Sequence, residues 1–138
     1  MGKIDFELTN DLEELEVLCK QVSRFCESAG ISEKDRFQIN LALDELFTNI
    51  ISHGFQDDEE HRIRITVDHH SGEVVITIID DGISFNPLDL PEPDLKCDLK
   101  QRGVGGLGIT LIKAFMDQVR YRRQKDKNIL VLKKKVNS

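Results

Sequence analysis

The chain is poor in residues that would brace a small protein from outside its core. Its 138 residues include three cysteines and three prolines. Cys19 and Cys26 would stand two turns apart on one helix, about 10 Å by the helical rise and too far for a disulfide. Cys97 makes the count odd, and no pair has metal-ligand spacing, as expected of a reducing cytoplasm. No apolar run approaches the roughly 20 residues of a membrane span, and the N-terminus shows no signal-peptide core. Positive charge is not in excess either: the net charge of −6 argues against a nucleic-acid binder, which normally presents a basic face. The expectation is a protein that contacts neither nucleic acid nor membrane. With no internal repeat and no dividing linker, residues 1–138 read as a single domain around one core. At 39% hydrophobic and 32% charged residues, the composition is that of a globular chain rather than a disordered one.

What is present is strongly patterned. Ile4, Phe6 and Leu8 alternate with polar neighbours, as in a half-buried strand. Thr9-Asn10-Asp11 offers N-cap chemistry to a helix whose apolar stripe runs through Leu12, Leu15, Leu18, Val22, Phe25 and Ala29 to a left-handed cap at Gly30. Ser32-Glu33-Lys34-Asp35 opens a second helix, for which Gly54 is placed as the C-cap and His53 as a last-turn residue. A hairpin follows, with strands at 62–67 and 74–79 around Ser71-Gly72, and the second strand ends on Asp80-Asp81-Gly82. From Ile83 to Val104 no periodicity is visible, and all three prolines fall there, which marks a long functional or disordered loop. A short helix at 109–117 and strands at 119–123 and 129–133 complete the chain. Lys133, Lys134 and Lys135 read as solvating charges on an edge or fraying strand.

Three patches carry candidate chemistry. Glu45 and Asn49 lie four apart, hence on one helix face, beside a stripe of Ile39, Ala42, Leu43, Leu46 and Ile50. A hydrated metal ion with a phosphate would satisfy such a pair; the ordinary alternative is that both face water. Asp80, at the end of a buried strand, could accept a hydrogen bond from a base amine, with Gly82 allowing close approach to a flat ring. The alternative is a plain strand-end turn. Gly103 to Gly108 spells G-x-G-x-x-G, but no strand precedes it, too little chain remains for a Rossmann array, and no Gly-Lys-Ser/Thr makes it a Walker A loop. What survives is a glycine-rich run opening a helix, whose free N–H groups can bind phosphate; a hinge is the alternative.

Taken together and in this order, the patches resemble the nucleotide boxes of the GHKL (Bergerat-fold) ATPases. Glu45-x-x-x-Asn49-x-x-x-His53-Gly54 is similar to the N box, Asp80-x-Gly82-x-x-Phe85-x-Pro87 to the G1 box, and Gly105-Gly-Leu-Gly108-Ile-x-Leu-Ile112 to the G2 box. The wording is nearest to the bacterial anti-sigma factor and serine-protein-kinase branch, and the likeness covers nearly the whole chain. It implies an α/β (α+β) two-layer sandwich, helices on one face of a mixed, mostly antiparallel sheet, with an ATP lid at about 82–104. It implies ATP and Mg²⁺ as cofactors, Asn49 as the metal ligand and Glu45 as the general base. Asp80 would contact the adenine amine with Gly82 beside the ring, and the amides of Gly105, Gly106, Leu107 and Gly108 would hold the phosphates. Ser84 departs from the branch, which usually has glycine there, and its Cβ is expected to narrow the pocket.

The implied function is an ATP-binding anti-sigma factor and serine/threonine kinase that phosphorylates a serine on an anti-sigma-factor antagonist. A sigma factor or similar target would be a further partner, and a homodimer is possible within the branch. The rival, from a different class, is a nucleotide-gated protein-binding module without significant transfer. A two-component histidine kinase is disfavoured because no phosphoacceptor helix pair fits in the chain.

Overall fold

The computed structural model describes residues 2–55, 57–89 and 108–136. In chain order these form β1 (Gly2–Thr9), a 3-10 turn (Leu12–Glu14), α1 (Leu15–Ser28), α2 (Glu33–Gly54), β2 (Arg62–His70) and β3 (Glu73–Asp80). A 3-10 turn (Pro87–Asp89), α3 (Gly108–Phe115), β4 (Gln118–Gln124) and β5 (Lys127–Lys135) follow.

Local chemistry accounts for the helix ends. Asp11 accepts a hydrogen bond from the Glu13 amide at 2.9 Å, and Ser32 Oγ accepts one from the Asp35 amide at 3.2 Å, each satisfying a donor that the first turn leaves free. Gly30, at φ +74°, closes α1 in the left-handed conformation its sequence position predicts. Leu12, assigned above to the apolar stripe, is 50% exposed because it falls in the 3-10 turn before the helix proper. Gly54 is not a left-handed cap. It is the last residue of α2, with extended Phe55 after it, and its role lies in a contact described below.

The five strands form one sheet in the order β1-β2-β3-β5-β4, and every pairing is antiparallel. The mixed component expected above is therefore missing among the described residues. The reason is topological: β3 and β4 run in the same direction, but β5 is inserted between them. Inward residues of β2, β3 and β5 are buried while their neighbours in sequence are not, so the helices cover one face only. α2 is the centre of that layer and packs against both α1 and α3. Among the described residues no helix is long and apolar enough to cross a membrane.

β5 is thus an interior strand, which overturns the edge reading of its lysines. Lys134 points inward and is 7% exposed; its ammonium donates to the carbonyl of Phe115, at the end of α3, at 2.7 Å, and lies 3.8 Å from Asp35 in the first turn of α2. A cation at a helix C-terminus and beside a carboxylate is doubly favourable. The Lys134→Met substitution keeps the length and removes the charge, leaving the Phe115 carbonyl without this donor. It is expected to lower stability by about 1–3 kcal/mol in urea unfolding; an unchanged midpoint would show that the bond contributes nothing.

Candidate functional site

On α2, Glu45 is half-buried and Asn49 is 5% exposed. Among the described residues Glu45 Oε2 and Asn49 Nδ2 are both buried without a hydrogen-bond partner, and so are not bonded to each other although one turn apart. Burial raises the Glu45 pKa, and the neighbouring Asp44 carboxylate raises it further. An unsatisfied buried polar atom costs roughly 1–3 kcal/mol; Arg36, Asn40 and His69 carry such atoms as well, and Glu45 and Asn49 are set apart by standing one turn apart on one helix face, where a single ligand could satisfy both. A carboxamide offers its oxygen where its nitrogen stood by a half-turn of the amide, and carboxylate and carboxamide oxygens are the hard donors Mg²⁺ takes. The pair therefore fits that ion. The Pro87–Asp89 turn and α3 both pack against this helix.

At the end of β3, Asp80 is 4% exposed, and burial pushes its pKa up, opposed by the bonds it receives from Asn128 and Gly82. Both bonds fall on Oδ1, from Asn128 Nδ2 and from the Gly82 amide, each at 2.9 Å, and among the described residues no hydrogen bond falls on Oδ2. Asn128 was not visible as a site residue in the sequence. It is 4% exposed, stands opposite Asp80 in the β3–β5 register, and donates a second bond to the Ile83 carbonyl at 2.7 Å. Its Oδ1 accepts from the Tyr121 hydroxyl, from Arg123 at 3.2 Å and from the Phe85 amide at 3.4 Å. Arg123 also donates to the Gly82 carbonyl at 2.7 Å. The available signal was parity: Asn128 is the one polar residue in phase with Leu130 and Leu132 near the turn.

Gly82 is required by space rather than by backbone conformation. A Cβ there would stand 2.3 Å from the Gly54 carbonyl oxygen and 3.0 Å from Asp80 Oδ1, whereas one on Gly54 would meet only the Ile50 side chain at 3.8 Å. The Gly54 carbonyl, at the end of α2, accepts from the Ile83 amide at 2.8 Å. The strand end and the helix end are thereby locked together, and the His53 ring lies 5.3 Å from that of Phe85. Ser84 has an ordinary backbone and an exposed side chain, with its hydroxyl 3.5 Å from that of Tyr121. The backbone demands no glycine at that position.

The groove on the outer side of this junction, about 410 Å³, is lined by Phe55, Asp57, His61, Asp81, Ile83 and Arg123 together with Gly54 and Gly82. None of Glu45, Asn49 and Asp80 is in its wall. Asp81 faces it because strand parity turns Asp81 away from Asp80. His61 sits between two carboxylates, Nε2 at 2.7 Å from Asp57 and Nδ1 at 3.0 Å from Asp81, and stacks on Phe55; the Asp57 bond chiefly raises its pKa, with Asp81 adding to it. The structure therefore brings Asp80 and Gly82 to the C-terminal end of the helix that carries Glu45 and Asn49. Gly105, Gly106 and Leu107 lie outside the described residues, as does most of the 82–104 lid, and Gly108 is the first residue of α3.

Comparison with known proteins bears on this arrangement. Residues 8–134 match the model of the histidine kinase-like ATPase domain. The chain belongs to that family. ATP binding comes with the membership. The chain is 33% identical over 101 residues to the serine/threonine-protein kinase BtrW of Bordetella bronchiseptica, covering 73% of this chain and 71% of the relative. It is 30% identical over 118 residues to the anti-sigma F factor of Clostridium perfringens, covering 85% and 84%. Among solved structures, that of the RsbU and RsbW domains of Rv1364c from Mycobacterium tuberculosis superposes with a TM-score of 0.70 at 14% identity, over 99% of this chain and 33% of that one. The histidine kinase domain of Erythrobacter litoralis EL346 gives 0.55 at 16% identity, over 91% and 60%. At such identities these two likenesses establish the fold, and the present chain spans about a third of the mycobacterial one.

The junction makes a sharp contrast between two glycines. Gly82→Ala is expected to destabilise the protein by about 1–3 kcal/mol and to weaken ATP binding, because the added methyl cannot fit against the Gly54 carbonyl. Gly54→Ala should leave both nearly unchanged. Thermal melts with and without nucleotide measure this, and equal tolerance at the two positions would contradict the packing account.

Proposed function

We propose that this chain is an ATP-dependent serine/threonine protein kinase of the partner-switching type, which holds a sigma factor or similar target and phosphorylates a serine on an anti-sigma-factor antagonist. The names of the curated relatives support the class of activity. The observation that carries the reading to residues is the pair Glu45 Oε2 and Asn49 Nδ2, two buried polar atoms left without a hydrogen-bond partner among the described residues.

In this reading Asn49 holds Mg²⁺ and Asp80 Oδ2 accepts from the adenine amine. The amides of Gly105 to Gly108 would hold the phosphates, as the glycine-rich run before a helix with free first-turn N–H groups allows. The magnesium ion supplies neutralisation of the triphosphate charge. Glu45 takes the proton of the attacking serine hydroxyl as its oxygen bonds to the γ-phosphorus and the bond to the bridging oxygen of ADP breaks. The raised pKa of Glu45 suits that task, since a more basic carboxylate is a better proton acceptor at neutral pH. Positioning and charge stabilisation supply most of the acceleration in such transfers.

Glu45→Gln should bind Mg-ATP with nearly wild-type affinity and lose transfer to the antagonist by about two orders of magnitude or more, the usual contribution of a positioned base. Asn49→Ala should weaken binding only when Mg²⁺ is present. Labelled-ATP transfer and calorimetry with and without Mg²⁺ read the two effects. Transfer undiminished in Glu45→Gln removes it as the base, and wild-type binding without transfer to any antagonist assigns the chain to the nucleotide-gated binding module instead.

A further inference from the structure

The helices cover one face of the sheet, and the register shows what the other face presents. One cross-strand row reads Arg64, Ile79, Ile129, Arg122; the next reads Thr66, Thr77, Val131, Arg120. The central apolar residues of these rows are half-buried, while their inward neighbours Ile78, Leu130 and Leu132 are buried. Along the β5–β4 side of this face stand Arg120, Arg122, Lys127, Lys133 and Lys135; among the described residues none of the five side chains forms an ion pair, although the Lys135 amide donates to the Asp117 carboxylate at 2.6 Å and Glu73 stands opposite Lys135 in the register. The β1–β2 side is different: Arg64 pairs with Asp5, and Arg62 with Glu7 at 3.3 Å. Both sides are indented: a hollow of about 320 Å³ is lined by Ile129 and Val131 with Arg120, Arg122 and Lys133, and one of about 270 Å³ by Ile79 with Glu7, Arg62, Arg64 and Lys127; the first has no carboxylate in its lining.

We propose that the β5–β4 half of the open sheet face is a docking surface for an acidic, amphipathic segment of a partner protein, its apolar side on Ile129 and Val131 and its carboxylates on the surrounding arginines and lysines. Charge complementarity selects this occupant. The chain as a whole carries −6, so an acidic partner is drawn to a half-face where, among the described residues, several cations cluster without ion-pair partners. A second copy docking sheet face to sheet face fits less well, since it would bring to this half either the same five cations or the already self-paired β1–β2 ion pairs. Nucleic acid would satisfy the cations but has nothing to place on the apolar floor. The surface lies on the opposite side of the sheet from Glu45 and Asn49 and does not depend on the kinase reading.

The test uses the whole chain and an 18-residue synthetic helix with leucines on one side and glutamates on the other, labelled for fluorescence anisotropy. Two control peptides replace the glutamates by lysine or the leucines by serine, and a DNA oligonucleotide of similar charge is a third. The expected result is salt-sensitive binding of the Leu/Glu peptide only, weakened about tenfold or more by the double substitution Arg120→Glu with Arg122→Glu and also by Val131→Ser, with ATP binding and melting temperature retained. Equal binding of the serine control or of DNA would overturn the proposal by showing attraction to any polyanion. Unaltered affinity in both variants would place the peptide elsewhere, and a concentration-dependent dimer abolished by the same substitutions would give the face to a second copy.

Discussion

The functional end depends on a single junction, where β3 runs into the C-terminus of α2. The Ile83 amide donates to the Gly54 carbonyl, and Gly82 passes so close to that carbonyl that no side chain fits between them. Because α2 is also the helix against which α1 and α3 pack, this contact fixes the strand-end carboxylate relative to the polar pair one and two turns back along the helix. Asn128 then holds the junction from the far side, tying Asp80, Ile83 and Phe85 to the β4–β5 hairpin.

That arrangement separates two kinds of buried polar group. Asp80 is buried and supported, with two hydrogen bonds on Oδ1 and, among the described residues, none on Oδ2, so its position is set before any ligand arrives. Glu45 Oε2 and Asn49 Nδ2 are buried and, among the described residues, unsupported. A protein that leaves such atoms unsatisfied is less stable than it could be, and a binding site is the usual reason for tolerating that cost. Membership in the histidine kinase-like ATPase family supplies the nucleotide whose binding would offset it.

Much of this was legible in the sequence because its signals are local. The cap at Gly30, the Ser32 start of α2, the four-residue spacing of Glu45 and Asn49, and the opposite facing of Asp80 and Asp81 all follow from helix and strand periods. What escaped notice is non-local. Asn128 reaches Asp80 across 48 positions and Lys134 reaches Phe115 across 19, and both depend on β5 lying inside the sheet, which no local pattern states. A run of three lysines reads as surface from composition alone, yet strand alternation turns the middle one inward. Gly54 failed as a cap for a related reason: its importance comes from Gly82, a residue on another element.

The central claim, that the α2–β3 junction rather than the groove outside it receives the nucleotide, is tested most directly by NMR titration of the labelled protein with ADP and Mg²⁺. The account predicts large shifts at the backbone amides of 80–85 and at the side-chain amide of Asn128, with the Asn49 side-chain amide moving only when Mg²⁺ is present. Shifts confined to Phe55, Asp57, His61 and Asp81, with Asn49 and Asn128 unmoved, would contradict it.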